Sequence, residues 1–212
     1  MSKSHLGPLA RESTAELIAN KLRAAISHGE ILPGSQLIEG KLAHAFGVSR
    51  SPLREAMQRL TQEGLLYSVR GRGVFVAEVT AENIRDLYLA RRAVERAAVA
   101  EIFLHDPVAV GAQLVEHLDD NMEFHQVLVS LANSPHLTRM HETLITETRM
   151  CLNAVPPAEG DLAKQVSEHR AIAEAFQASD VALVDRTIVA HLEDAVALLV
   201  DAVTTATASS AG

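Results

Sequence analysis

Tryptophan is absent, aromatic residues make up only 3% of the 212-residue chain, and there is one cysteine, Cys151. A single cysteine cannot make an internal disulfide, so the fold must rest on a packed core. A composition of 48% hydrophobic and 22% charged residues is ordinary for one. Scarce aromatics argue against a stacking platform for single-stranded nucleic acid, and abundant Ala and Leu favour helix-on-helix packing over a β-sandwich. No uncharged stretch is long enough to span a bilayer and no apolar leader suggests export, so the expected compartment is the cytoplasm.

Positive charge is also short overall, with a net of −8, but it is unevenly spread. Residues 1–78 hold 10 Lys/Arg against 7 Asp/Glu, a net of +3, whereas residues 79–212 hold 9 against 20, a net of −11. That asymmetry is expected of a chain whose first part meets phosphate and whose second does not. A mildly basic face alone is usually solvated surface, so the residue pattern has to carry the argument.

The pattern begins with a helix over 13–27, where Ser13 and Glu16 form a capping box and Leu17, Leu22 and Ile26 supply apolar positions. Ile31 to Gly34 reads as a turn into a short extended piece, followed by a helix over 38–46 that Gly47 breaks. Ser49 caps a third helix, with Pro52 in its first turn and Gly64 at its end. Two helices joined by so short a turn make a helix-turn-helix. The β-prone runs 65–69 and 74–76 then flank Arg70-Gly71-Arg72-Gly73, a hairpin with a basic tip, which is a wing. From Thr80 the period is helical, with helices expected over 80–104, 119–132, 136–154, 161–178 and 180–203. A short helix is expected within 105–118, a loop over 156–160 and a frayed tail after Val203. The expected fold is mostly α: a winged helix-turn-helix over 1–78 and an all-helical antiparallel bundle over 79–212.

Arg50, Ser51 and Arg54 fall in the first turn or so of the third helix, the part of a recognition helix that enters a groove, with the two arginines four apart on one face. Arg70 and Arg72 add cations on the wing, and Gly71 lets backbone approach the duplex. Leu42-Ala43, then Gly47-Val48-Ser49-Arg50-Ser51-Pro52-Leu53-Arg54-Glu55-Ala56, Leu60, Gly64-Leu65 and Gly73 closely resemble the GntR superfamily of bacterial regulators. The resemblance implies operator contacts by Arg50 and Arg54, by hydroxyls near Ser49 and Ser51, and by the glycine of the wing tip. Many members carry an Arg after the Glu matching Glu39. Here Gly40 and then Lys41 follow, and Lys41 is the substitute cation.

Asp86-Leu87-Tyr88, Arg91-Arg92-Ala93-Val94-Glu95, Phe124-His125, His169 and His191 resemble the FadR-like branch, whose helical effector domain is called FCD. Together the two resemblances cover nearly the whole chain. The second implies a divalent metal, Zn, Ni or Mn, held by Asn121, His125, His169 and His191. The residues add support of their own, because each His lies on its helix's apolar stripe: His125 with Leu128 and Ala132, His169 with Ile172 and Phe176, His191 with Ile188 and Ala195. A lone inward His is more often a hydrogen-bonded core residue, but three inward imidazoles and an amide would be costly unpaired and are satisfied together by a cation. The other histidines read as surface or cap residues.

A metal with open positions suits a small carboxylate effector, whose second oxygen an Arg would hold; Arg91 and Arg149 are the candidates. Arg91 has an alternative role, an internal salt bridge to Glu95. The segment between Glu95 and His125 is shorter than is usual in this branch, which implies the loss of a helix or part of one. The expected protein is a homodimeric, non-enzymatic regulator, more often a repressor in this family, that binds an inverted repeat of double-stranded DNA and whose operator binding is controlled by a small organic acid. A metal-dependent hydrolase is the rival from another class, yet no acid occupies a base position like that of H-E-x-x-H, and the DNA-reading half would be unexplained. A third reading gives the second domain dimerisation alone.

Overall fold

The computed structural model describes residues 13–155 and 161–210. His5 and the loop expected over 156–160 lie outside them. The first helix, α1 (Thr14–Ser27), starts where the capping box places it, with Ser13 Oγ accepting from Glu16 N at 3.1 Å. Its inward stripe is Ile18, Leu22 and Ile26, spaced four apart. Leu17, expected on that stripe, is 49% exposed, because Ile18 takes the core position one residue later.

Helices α2 (Glu39–Phe46) and α3 (Arg50–Gln62) flank a three-residue turn that Gly47 opens at φ 65°. Strands β1 (Gln36–Leu37), β2 (Leu66–Val69) and β3 (Gly73–Val76) form an antiparallel sheet in the order β1-β3-β2, with Tyr67 opposite Phe75 and the rings stacked at 5.7 Å. Ile26, Leu53, Leu60 and Val76 have no exposed surface, and each contributes roughly 1.5 to 3 kcal/mol by burial.

The second half is helical: α4 (Ala81–Ile102), α5 (Pro107–Leu114), α6 (Asn121–Ser130), α7 (Pro135–Asn153), α8 (Asp161–Gln177) and α9 (Val181–Ser210). α4 packs on α9 and α7, α6 on α7, and α8 on α5 and α9. The shortened segment yields α5 and a single 3₁₀ turn, Val115–His117. Gly111 lets α5 lie against α8, since a Cβ there would come within 2.6 Å of the Ala173 carbonyl oxygen. The tail expected to fray after Val203 instead continues α9 to Ser210, a run of Thr, Ala and Ser with no Gly or Pro to stop it.

Two hydrophobic cores result, one in each half. α7 bridges them: Met150 is buried in the winged-helix core, and Asn153 Nδ2 donates to the Ser27 carbonyl at the end of α1.

Candidate functional site

The basic face of the winged helix comes from two tips. At the first turn of α3, Arg50, Ser51 and Arg54 are exposed, as are Ser49 before it and Lys41 on α2. Ser49 stands at the N-cap but its side chain makes no capping bond, so its hydroxyl remains available to another acceptor or donor. Arg54 Nε donates to Glu39 Oε2 at 2.8 Å, and its side chain is still 63% exposed. Gly40 sits beside Arg50, whose Nη2 lies 3.9 Å from where a Cβ would stand. On the wing Arg70, Gly71 and Arg72 are exposed, Gly71 at φ 77°.

The second site is internal. One turn of α6 carries Asn121 and His125, α8 brings His169 and α9 brings His191, all three histidines being buried. Their ring nitrogens lie within 4.8 Å of one another. Each Nδ1 faces an acceptor: His125 bonds Glu95 Oε2 at 2.9 Å, His169 the Leu118 carbonyl at 2.8 Å, and His191 Glu168 Oε2 at 2.7 Å. Carbonyl and carboxylate oxygens accept, so each Nδ1 carries the ring proton and each Nε2 presents a lone pair to the centre.

Burial reinforces this by pushing the pKa of His125 down to about 3 and that of His169 to about 4, so both are neutral at pH 7. His125 Nε2 and His191 Nε2 are 3.1 Å apart, a separation at which two lone pairs repel unless a proton or cation lies between them. His169 Nε2 and Asn121 Oδ1 are buried with no hydrogen-bond partner among the described residues. Three imidazole lone pairs and an amide oxygen converging in this way fit a divalent metal ion. A cavity of about 110 Å³ opens beside them, lined by Asn121, His191, Lys164, Gln165, Glu168 and Asp194 among others.

A family model for bacterial regulatory proteins of the gntR family matches residues 14–76, and the FCD domain matches residues 86–194. The chain belongs to the GntR family. An HTH-type transcriptional regulator from an unstable DNA locus of Streptomyces ambofaciens is 31% identical over 81% of this chain and 79% of its own length. The HTH-type transcriptional repressor RspR of Escherichia coli K12 is 28% identical over 82% of this chain and 83% of its own. Among solved structures, a GntR regulator from Rhodococcus sp. RHA1 superposes with a TM-score of 0.76 at 29% identity, covering 90% of this chain and 99% of that one. The chain is thus a GntR-family transcription regulator with an FCD domain, and FCD domains bind metals.

Arg91 of this GntR-family chain is 1% exposed and donates through Nε and Nη2 to Glu95 Oε1, at 3.1 and 2.9 Å. It adopts the internal salt bridge and is not among the residues lining the 110 Å³ cavity. Arg149 lines a different cavity, against α1. The charged residues lining the 110 Å³ cavity are Lys164, Glu168 and Asp194, with Lys164 Nζ 2.7 Å from Asp194 and 3.4 Å from Glu168.

His141, read from sequence as surface or cap, is 1% exposed and bonds Glu95 Oε1 at 3.1 Å. It shares a buried stripe with Ile145 and Thr148, a spacing that was there to be read. Glu95 therefore accepts from Arg91, His125 and His141 together. Burial alone would raise its pKa, but His125, Arg91 and these hydrogen bonds hold it well below the usual carboxylate range.

Proposed function

We propose that this regulator is a repressor whose grip on operator DNA is set by a small organic acid bound at a metal site in the FCD domain. As a homodimer it offers two winged helices to an inverted repeat, with Arg50, Ser51, Arg54, Ser49 and Lys41 toward one groove and Arg70, Gly71 and Arg72 along its neighbour. The observation that carries the sensing half is the convergence of three Nε2 lone pairs, each fixed by an acceptor on its own Nδ1, beside the unpartnered Asn121 Oδ1. Zn, Ni or Mn suits that donor set, and when bound the ion supplies attraction for carboxylate oxygens.

The chain's own residues then select the ligand. The cavity of about 110 Å³ is well below the roughly 300 to 1,000 Å³ of drug-sized sites, which favours an acid of a few carbons. Lys164, rather than Arg91 or Arg149, is the cation available to its second oxygen. Because Lys164 is already shared by Asp194 and Glu168, an entering acid competes with those carboxylates and disturbs the contact between α8 and α9. Control of DNA binding requires that the acid favour one state over the other.

Fluorescence anisotropy with a labelled inverted-repeat operator tests this on protein loaded with Zn. Titrated malonate or lactate should weaken operator binding at least ten-fold, and chelation before titration should remove the response. An operator affinity indifferent to both acids and to chelation would overturn it.

A further inference from the structure

A second cavity, of about 310 Å³, lies between the two halves of the chain, walled by α1 on one side and by α6 and α7 on the other. Its charged side chains are Arg23 and Arg149, His28 also lines it, and no carboxylate does so among the described residues. The two arginines differ. Arg23 is committed, donating to both carboxylate oxygens of Glu63 at 2.9 and 2.7 Å and to Asn20 Oδ1 at 2.6 Å. Arg149 is half-buried, and no hydrogen bond or ion pair to its guanidinium exists among the described residues. The Ser27 carbonyl at the end of α1 already accepts from Asn153 Nδ2, which removes one source of negative potential. The adjoining cavity, about 360 Å³ and sharing Asn20, Arg23 and Thr146, is by contrast lined by Glu16, Glu63 and Glu142.

We infer that the cavity at Arg149 is a second ligand site, separate from the histidines, that takes the carboxylate or phosphate group of a small molecule. A partly desolvated guanidinium without an anion is costly, and its planar fork matches two oxygens of one carboxylate or phosphate. Thr146 and Gln126 are placed to complete the shell, and Ala24 and Ile145 form the apolar wall. Because α1 belongs to the winged helix and α6 and α7 to the FCD bundle, an anion here joins the halves directly. It fixes their relative position without passing through the metal.

Isothermal titration of the full chain, stripped of metal by chelation, tests the site with succinate and inorganic phosphate as separate probes. One saturable event per chain is expected for at least one probe, retained in His169→Ala and weakened at least ten-fold in Arg149→Gln. Whichever probe binds more tightly identifies the preferred group. Ala24→Leu, which narrows the cavity and leaves every charge in place, should weaken the event, and unchanged melting of both variants shows that the fold survives. No saturable binding of either probe to the metal-stripped protein, or equal affinity in Arg149→Gln, overturns the assignment. Loss of binding in His169→Ala would also do so, by returning the event to the metal cavity.

Discussion

Glu147 is a carboxyl group facing a domain seam. It lies against Gly64, at the turn after α3, where an added Cβ would stand 3.3 Å from Oε1, and near Asp86 of α4. Burial, helped by the Asp86 charge, raises its pKa to about 7 from an ordinary value of 4.5. The folded protein therefore keeps a proton that the unfolded chain has released. Its stabilising contribution is full below about pH 4.5 and is lost as pH rises through about 7. Glu147→Gln mimics the protonated form. It should raise stability at pH 8 by about 1 kcal/mol, a value discounted for partial exposure, with little change at pH 5. Urea midpoints at the two pH values measure this, and parallel profiles for mutant and wild type would count against it.

The arginines at the tip of α3 behave differently because they are exposed. Arg54 and Glu39 form a surface pair, of a kind that contributes about 0 to 1 kcal/mol. Arg50→Ala and Arg54→Ala should accordingly melt close to wild type. Each should weaken operator binding by roughly 1 to 3 kcal/mol if it reads a base edge. Undiminished gel-shift affinity in both variants would remove α3 as the reading helix.

Among elements, α7 reaches from the bundle into the winged-helix core. His141 near its start bonds Glu95, which holds the metal-facing His125, and Met150 sits in the winged-helix core about 14 Å along at 1.5 Å per residue. A shift of α7 at one end is therefore felt at the other. Met150→Ala should leave metal stoichiometry unchanged and reduce stability by about 2 to 5 kcal/mol. It should also flatten the change in operator affinity that the acid produces. Anisotropy titrations with and without acid check this, and a response as large as that of wild type would free α7 of any coupling role.

The same helix shows what the sequence made legible and what it did not. Apolar spacing located the long helices of the bundle and turned His125, His169 and His191 inward, because periodicity reports which face is buried. It does not report what that face meets. His141 lies on an equally regular stripe, but nothing local in the sequence links it to Glu95, 46 positions earlier. Glu168 precedes His169 in the chain yet serves His191 across the α8–α9 contact. Arg149, a candidate for the effector's second oxygen, lines another cavity, a placement that only packing decides.

At the scale of the whole molecule, the charge of +3 before residue 79 and −11 after it separates a half suited to phosphate from one suited to sensing. The central claim is that a metal ties α6, α8 and α9 together and that the acid acts through it. A ligand that binds only the folded state stabilises by about 2.7 kcal/mol at 100 times its dissociation constant, or about 5 to 10 °C of melting temperature for a chain of this size. The most direct test is native mass spectrometry of wild-type and His169→Ala protein, paired with melting in the presence of chelator and of small carboxylic acids. Wild type should hold one divalent ion per chain and melt lower on chelation; in an Arg149→Gln background, which removes binding at the second cavity, the acids should raise melting only when the protein is loaded, and adding His169→Ala should lose the ion and the acid response together. Stoichiometric metal in His169→Ala, or melting and acid response in that background untouched by chelation, would contradict the account and leave the three histidines as core residues.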